Sequence, residues 1–154
     1  MSGAWGRAGL VLLAVVIADQ VTKALVVANI GHGEHRRLFA GVDLVRVSNR
    51  GIAFGFFGGR GTLLTVLTVG ALMLLLAYFA THATRPWLWL PTGLLLGGAI
   101  GNLLDRVRDH AVTDFIDLPL WPAFNLADVA ITFGVAALVL ALDAGREQAR
   151  GETA

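Results

Sequence analysis

Four apolar runs dominate the chain and leave few folds open to it. They cover Ala8–Asn29, Thr62–Thr81, Pro86–Leu104 and Pro122–Leu142. Each holds roughly 20 residues, enough to cross about 30 Å of hydrocarbon at about 1.5 Å per residue. The second and third carry no charged residue. The runs predict an all-α membrane protein of four transmembrane helices, about 8–29, 62–81, 86–104 and 122–142, in a single domain over residues 1–154. Trp5, Trp87, Trp89 and Trp121 stand at run ends, where an interfacial aromatic belt would put them.

Composition narrows the chemistry. Hydrophobic residues make up 56% of the chain and charged ones 15%, far from the soluble average. A net charge of +1 gives no reason to expect nucleic acid as a partner. The absence of cysteine excludes disulfides, thiolate nucleophiles and Cys-based metal sites. His32, His35, His82 and His110 are scattered, so neither a metal nor a cofactor is expected. "VIA" before Asp19, with Arg7 upstream, would serve as a cleavage site for a secretory signal. Apolar sequence resumes after Lys23 as "ALVVANI", which favours an uncleaved first helix.

An even number of spans puts both termini on one side of the membrane. Two long loops, about 30–61 and 105–121, then share the other side. In the first, "VDLVRVSN" alternates apolar Val42, Leu44 and Val47 with Asp43 and Arg46, as a short strand or hairpin does. "RGIAFGFFGG" follows, aromatic and glycine-rich, and suits a strip lying on the membrane surface. The tail after Asp143 is polar and is expected to fray. Orientation by the positive-inside rule is awkward. Arg7, Arg85, Arg146 and Arg150 lie on the terminal side, against Arg36, Arg37, Arg46, Arg50, Arg60, Arg106 and Arg108 opposite, so charge alone would put the long loops in the cytoplasm.

The polar residues inside the runs are not scattered. Asp19 and Lys23 lie late in the first helix, Asn102 and Asp105 end the third, and Asn125 and Asp128 begin the fourth. Because neighbouring spans alternate in direction, all six gather near one membrane face, beside both long loops. Structure alone gives each a reason to be there. Asp19 and Lys23 are spaced i, i+4 with the acid first, the favourable order for a helix ion pair. "NLAD" at 125–128 has the form of an N-cap with an acid at N3. "GNLLDR" could end a helix among headgroups. Asp114 could be a loop acid, although Phe115, Ile116 and Leu118 should draw it toward the membrane.

The functional alternative is a carboxylate pair. Two carboxylates sharing a site cannot both ionise easily, so one keeps a proton. The ionised one can take a proton from water while the other donates to a carbonyl oxygen. This is aspartic-protease chemistry and requires no thiol or metal. Spacing leaves the pair open among Asp105, Asp114, Asp117 and Asp128.

The stretches "DQVTK" (19–23), "NRGIAFG" (49–55), "GGAIGNLLDR" (97–106), "VTDFID" (112–117) and "FNLADVAI" (124–131) together resemble the bacterial lipoprotein signal peptidases, the signal peptidase II family. They occur in that family's order and span nearly the whole chain. Ile52 departs from the family, which often has alanine there. The resemblance implies an aspartic endopeptidase of the bacterial plasma membrane with Asp114 and Asp128 as its dyad. It implies supporting or substrate-binding roles for Asn49, Gly51, Asn102, Arg106, Asn125, Asp19, Lys23 and Asp105. It also implies cytoplasmic termini, an active site near the extracytoplasmic face, a small β-cradle in the first long loop and a lid involving Phe54, Phe56 and Phe57. The implied substrate is a prolipoprotein whose lipobox cysteine carries a diacylglyceryl group, cut before that cysteine, with membrane lipid around it. No cofactor and no oligomer are required. A small proton-coupled transporter using Asp19 is the main rival, although its site should lie near the midplane. A non-catalytic membrane scaffold is the second.

Overall fold

The computed structural model of the chain describes residues 2–50 and 60–151. The elements run α1 (Ser2–Asn29), β1 (His35–Phe39), β2 (Val42–Asn49), α2 (Arg60–His82), α3 (Trp89–Asp109), β3 (Val112–Leu118), β4 (Trp121–Phe124) and α4 (Leu126–Gly151). Four helices thus carry the four apolar runs, and a small sheet caps one end of them. Among the described residues, α1 and α4 hold stretches long and apolar enough to cross a membrane, over Gly3–Asn29 and Leu126–Ala144. The apolar part of α2 is Val66–His82. Gly51 and the lid phenylalanines Phe54, Phe56 and Phe57 lie outside the described residues.

Several helix boundaries differ from the sequence expectation: α1 already begins at Ser2 rather than Ala8, and α4 runs on through the polar tail to Gly151 rather than ending at Leu142 and fraying after Asp143. The third helix begins at Trp89 rather than Pro86, because Trp87 takes a left-handed backbone (φ 65°) that ends any helix running through it. It also continues to Asp109, so Asp105 and Arg106 are helical rather than part of a loop. The fourth helix begins at Leu126 rather than Pro122, because Trp121–Phe124 is drawn into the sheet. The sheet itself is broader than a cradle in the first loop. Its order is β1-β2-β3-β4, all neighbours antiparallel, so half of its strands come from the segment between α3 and α4.

Close approach of α3 to its neighbours holds the bundle together. Gly93, Gly97 and Gly101 recur every four residues and so line one face of α3. A Cβ at Gly93 would stand 2.7 Å from the Ala8 carbonyl oxygen, and one at Gly97 would stand 2.8 Å from Val15 Cβ. On another face a Cβ at Gly98 would meet the Ala127 carbonyl oxygen at 2.5 Å. Small residues let helix backbones pack directly where lipid offers no hydrophobic drive to do so. α1 and α4 therefore both rest against α3, which brings their polar residues together.

Candidate active site

Asp114 is placed by the sheet. On β3 it pairs with Val47 of β2, and Asn49 lies two residues further along the same face. A bulge in β2 makes this so. Leu44 pairs with Ile116 and Val47 with Asp114, so Val45 and Arg46 together oppose Phe115. In an unbulged ladder Ser48 would take the diagonal position beside Asp114. With the bulge Asn49 takes it, and its Nδ2 donates to Asp114 Oδ2 at 2.9 Å.

Asp128 is placed by the start of α4. Asn125 is the N-cap: its Oδ1 accepts the Asp128 backbone N–H at 3.0 Å, and Asp128 Oδ2 accepts the Asn125 backbone N–H at 3.3 Å. This is the reciprocal capping arrangement that "NLAD" suggests. A third free N–H of the first turn, on Ala127, donates to Asp19 Oδ1 of α1 at 3.0 Å. Capping and site-building are therefore one arrangement, because the acid that caps α4 is also the one that faces the sheet.

Two asparagines link the acids. Asn125 Nδ2 donates to Asp114 Oδ1 at 2.7 Å and to Asn102 Oδ1 at 3.1 Å. Asn102 Nδ2 donates to Asp128 Oδ1 at 2.8 Å. Asn125 is wholly buried, and both protons of its side-chain amide are used. Asn125 thus holds one oxygen of Asp114 and Asn102 one oxygen of Asp128, and these two asparagines are bonded to each other.

Beneath them lies Lys23. Its ammonium reaches Asp19 Oδ2 and Asp105 Oδ2 at 2.8 Å each and donates to Asn102 Oδ1 at 3.0 Å. Three acceptors match three N–H donors. Asp105 also accepts from Gln20 Nε2 at 2.9 Å and from the Thr113 backbone N–H at 3.2 Å, which ties α3 to β3 one residue before Asp114. Gln20 in turn donates to the Gly101 carbonyl and accepts from Arg108 Nη1 at 3.0 Å. Asp105 is buried in this network rather than lying among headgroups.

The sequence-predicted residues Asp19, Lys23, Asn49, Asn102, Asp105, Asn125, Asp114 and Asp128 thus form one connected set. Arg106 follows Asp105 on α3 and is half-buried; its carbonyl accepts the His110 amide N–H, but its side chain makes no hydrogen bond or ion pair with the described residues. Asp117 stands apart, at the far end of β3 opposite Asp43 and 3.6 Å from His35. Three contributors escaped the sequence reading: Gln20, the Thr113 amide and the glycine face of α3. Their signals were a polar side chain in the middle of an apolar run and a small residue at every fourth position.

Burial drives the acid–base character of Asp114. Loss of hydration is the largest influence and the negative charge of Asp128 adds to it, while hydrogen bonds from Asn49 and Asn125 work against both. The outcome is a carboxyl pushed up from 3.8 to about 6. Beside Asp128 opens a largely apolar cavity of about 560 Å³, walled by Trp121, Phe124, Val129 and Phe133.

The family model described as signal peptidase (SPase) II matches residues 11–143. A lipoprotein signal peptidase of Syntrophomonas wolfei is 42% identical over 148 residues, covering 95% of this chain and 97% of its own. One from Halothermothrix orenii is 41% identical over 134 residues, 86% of this chain and 92% of its own. A solved structure described as a bacterial membrane enzyme superposes with a TM-score of 0.84 at 32% identity, over 89% of this chain and 92% of that one. Matched from the first helix to the last, the chain belongs to the signal peptidase II family.

Proposed function

We propose that the chain carries out the reaction of its family, removal of the signal peptide from a prolipoprotein, as an aspartic endopeptidase with Asp114 and Asp128 as its dyad. The observation that carries this reading is the asparagine bridge. Two carboxylates from different elements are held side by side by Asn102 and Asn125, and burial pushes one of them, Asp114, up to about 6, so that it keeps its proton to higher pH than an ordinary carboxyl.

In this mechanism Asp114 carries the shared proton and Asp128 is the base. Asp128 sits in the first turn of α4, where the helix dipole favours negative charge. It removes a proton from water as the water oxygen attacks the scissile carbonyl. Asp114 donates its proton to the carbonyl oxygen, giving a neutral tetrahedral diol. Asp114, now ionised, recovers a proton from that diol as the C–N bond breaks. The proton on Asp128 passes to the departing amine of the cysteine. Arg106, uncommitted among the described residues, supplies donors to the substrate backbone. Asn49 lines the approach from β2, and Asp19, Lys23 and Asp105 brace the site.

The substrate's cysteine carries a diacylglyceryl group, and the peptide is cut before it. The apolar cavity next to Asp128 supports this, because a lipidated side chain beside the scissile bond needs an unhydrated surface. The chain is an integral protein of the bacterial cell membrane, and we read it as one domain of four spans. Both termini lie in the cytoplasm, the site is near the outer face, and the enzyme works as a monomer among lipids. Proton carriage by Asp19 is disfavoured, since its oxygens are taken by Lys23, Gln20 and the Ala127 amide.

A gel-shift assay tests the reading. Purified chain in detergent is given a prolipoprotein with and without its diacylglyceryl group. Cleavage of the lipidated form alone is the expected result. Failure of a folded protein to cut either form would refute it.

A further inference from the structure

At the other end of the helices, far from the catalytic network, two arginines face a common hollow. Arg7 precedes Lys23 by four and a half turns of α1, about 24 Å along the axis. The hollow measures about 450 Å³ and is lined by Arg7, Thr84, Arg85, Trp87 and Trp89, with no acidic residue among the described residues of its wall. Both guanidinium groups are held in place by aromatic rings. Arg7 lies 5.9 Å from the centre of the Trp89 ring. Arg85 lies 6.0 Å from the centre of the Tyr78 ring and donates to Tyr78 Oη at 2.9 Å. Neither has a carboxylate partner among the described residues. Trp87, on a left-handed backbone, is 66% exposed beside them.

From this we infer that the hollow between the start of α1 and the α2–α3 turn is a binding site for one anionic phospholipid headgroup. Two oriented guanidiniums offer several N–H donors to the oxygens of one phosphate. Exposed Trp5 and Trp87 mark the level as the membrane interface, so phosphates of surrounding lipids lie at the same height. Acyl chains of a lipid bound there run along the exposed apolar face of α2, which presents Leu67, Met73 and Leu74. Two arginines that merely snorkel to the interface would show neither stoichiometry nor headgroup preference. A formed site shows both. The inference does not depend on the dyad.

The test uses the whole chain purified in mild detergent, followed by native mass spectrometry and by thermal unfolding. Dioleoylphosphatidylglycerol, dioleoylphosphatidylcholine and inorganic phosphate are the three probes. One phosphatidylglycerol should be retained per protein and should raise Tm, with phosphatidylcholine weaker by more than about tenfold. Arg7→Gln and Arg85→Gln should each lower phosphatidylglycerol affinity about fivefold, whereas Arg85→Lys should keep most of the preference. Retained prolipoprotein cleavage certifies that each variant is folded. Equal retention of the two lipids, or unchanged binding in both glutamine variants, would overturn the inference. A Tm rise with inorganic phosphate equal to that with phosphatidylglycerol would overturn it too, by making the hollow a site for small free anions.

Discussion

Asn125 places its side-chain nitrogen 2.7 Å from Asp114 Oδ1 while its side-chain oxygen holds the backbone of Asp128, so a single buried residue sets the relation between the two acids. Asn125→Ala should leave Asp114, Asn102 and the Asp128 amide each short of a partner. Displacement of the dyad by even about 1 Å is enough to cost about 100-fold in kcat, with KM little changed. The unsatisfied groups should also lower stability by about 1–3 kcal/mol. Steady-state cleavage and thermal unfolding of the same preparation check both. An unchanged kcat would remove Asn125 from the positioning role.

Among the described residues, Lys23 is the single cation bonded to Asp19 and Asp105, all three nearly or wholly buried. Lys23→Met should leave two carboxylates facing each other out of water and destabilise the fold by about 3–5 kcal/mol. Adding Asp19→Asn to that variant should recover part of the loss, since one uncompensated charge is gone. Unfolding of the single and double variants, arranged as a cycle, reads the coupling directly.

Asp114 gives the protein a pH dependence of defined sign. Its folded value, about 6, lies above the ordinary 3.8, so the native state holds this proton more tightly than the unfolded chain does. Its contribution to stability is complete below about pH 4 and is lost as pH rises through about 6, by about 3 kcal/mol at about 1.4 kcal/mol per pH unit. Catalysis needs the proton as well, so kcat/KM should fall along an alkaline limb with a midpoint near 6. The hydrogen bond from Asn49 pulls Asp114 down. Asn49→Ala should therefore move that limb to higher pH. Rates measured from about pH 5 to about pH 8 test the direction, and a limb that moves downward would contradict it.

A methyl group at Gly101 would lie 2.6 Å from Asp19 Oδ2, against an oxygen bonded to Lys23 and Gln20. Gly101→Ala should cost about 1–3 kcal/mol of stability and reduce cleavage, because Asp19 also caps α4. Gly70→Ala is the matched control. Nothing lies within 4 Å of its added Cβ, so the change should be neutral or slightly stabilising within α2.

The helices and the convergence of their polar residues were readable from run length and chain direction. The i, i+4 pair at Asp19 and Lys23 and the "NLAD" cap both form as their spacing suggests. Strands β3 and β4 were not readable. Val112–Leu118 mixes acids with large apolar residues without clean alternation, since Phe115 packs on α1 from one face while Asp114, on the other, meets the start of α4. Pro122–Phe124 reads as the head of an apolar helix, and only pairing such as Ile116 with Phe124 makes it a strand. The bulge at Val45 and Arg46 has no signature of its own, yet it selects Asn49 over Ser48 as the partner of Asp114. Glycine spacing in α3 was visible, but its meaning depended on knowing which helices lie against it.

The most direct measurement is single-turnover cleavage of a diacylglyceryl-modified prolipoprotein by wild type, Asp114→Asn and Asp128→Asn, each shown to be folded. Either substitution removes an ionisable carboxyl while keeping most of its shape. The account predicts that cleavage falls by at least about 1,000-fold in both, with substrate binding preserved. Cleavage surviving in either variant at near the wild-type rate would contradict the dyad.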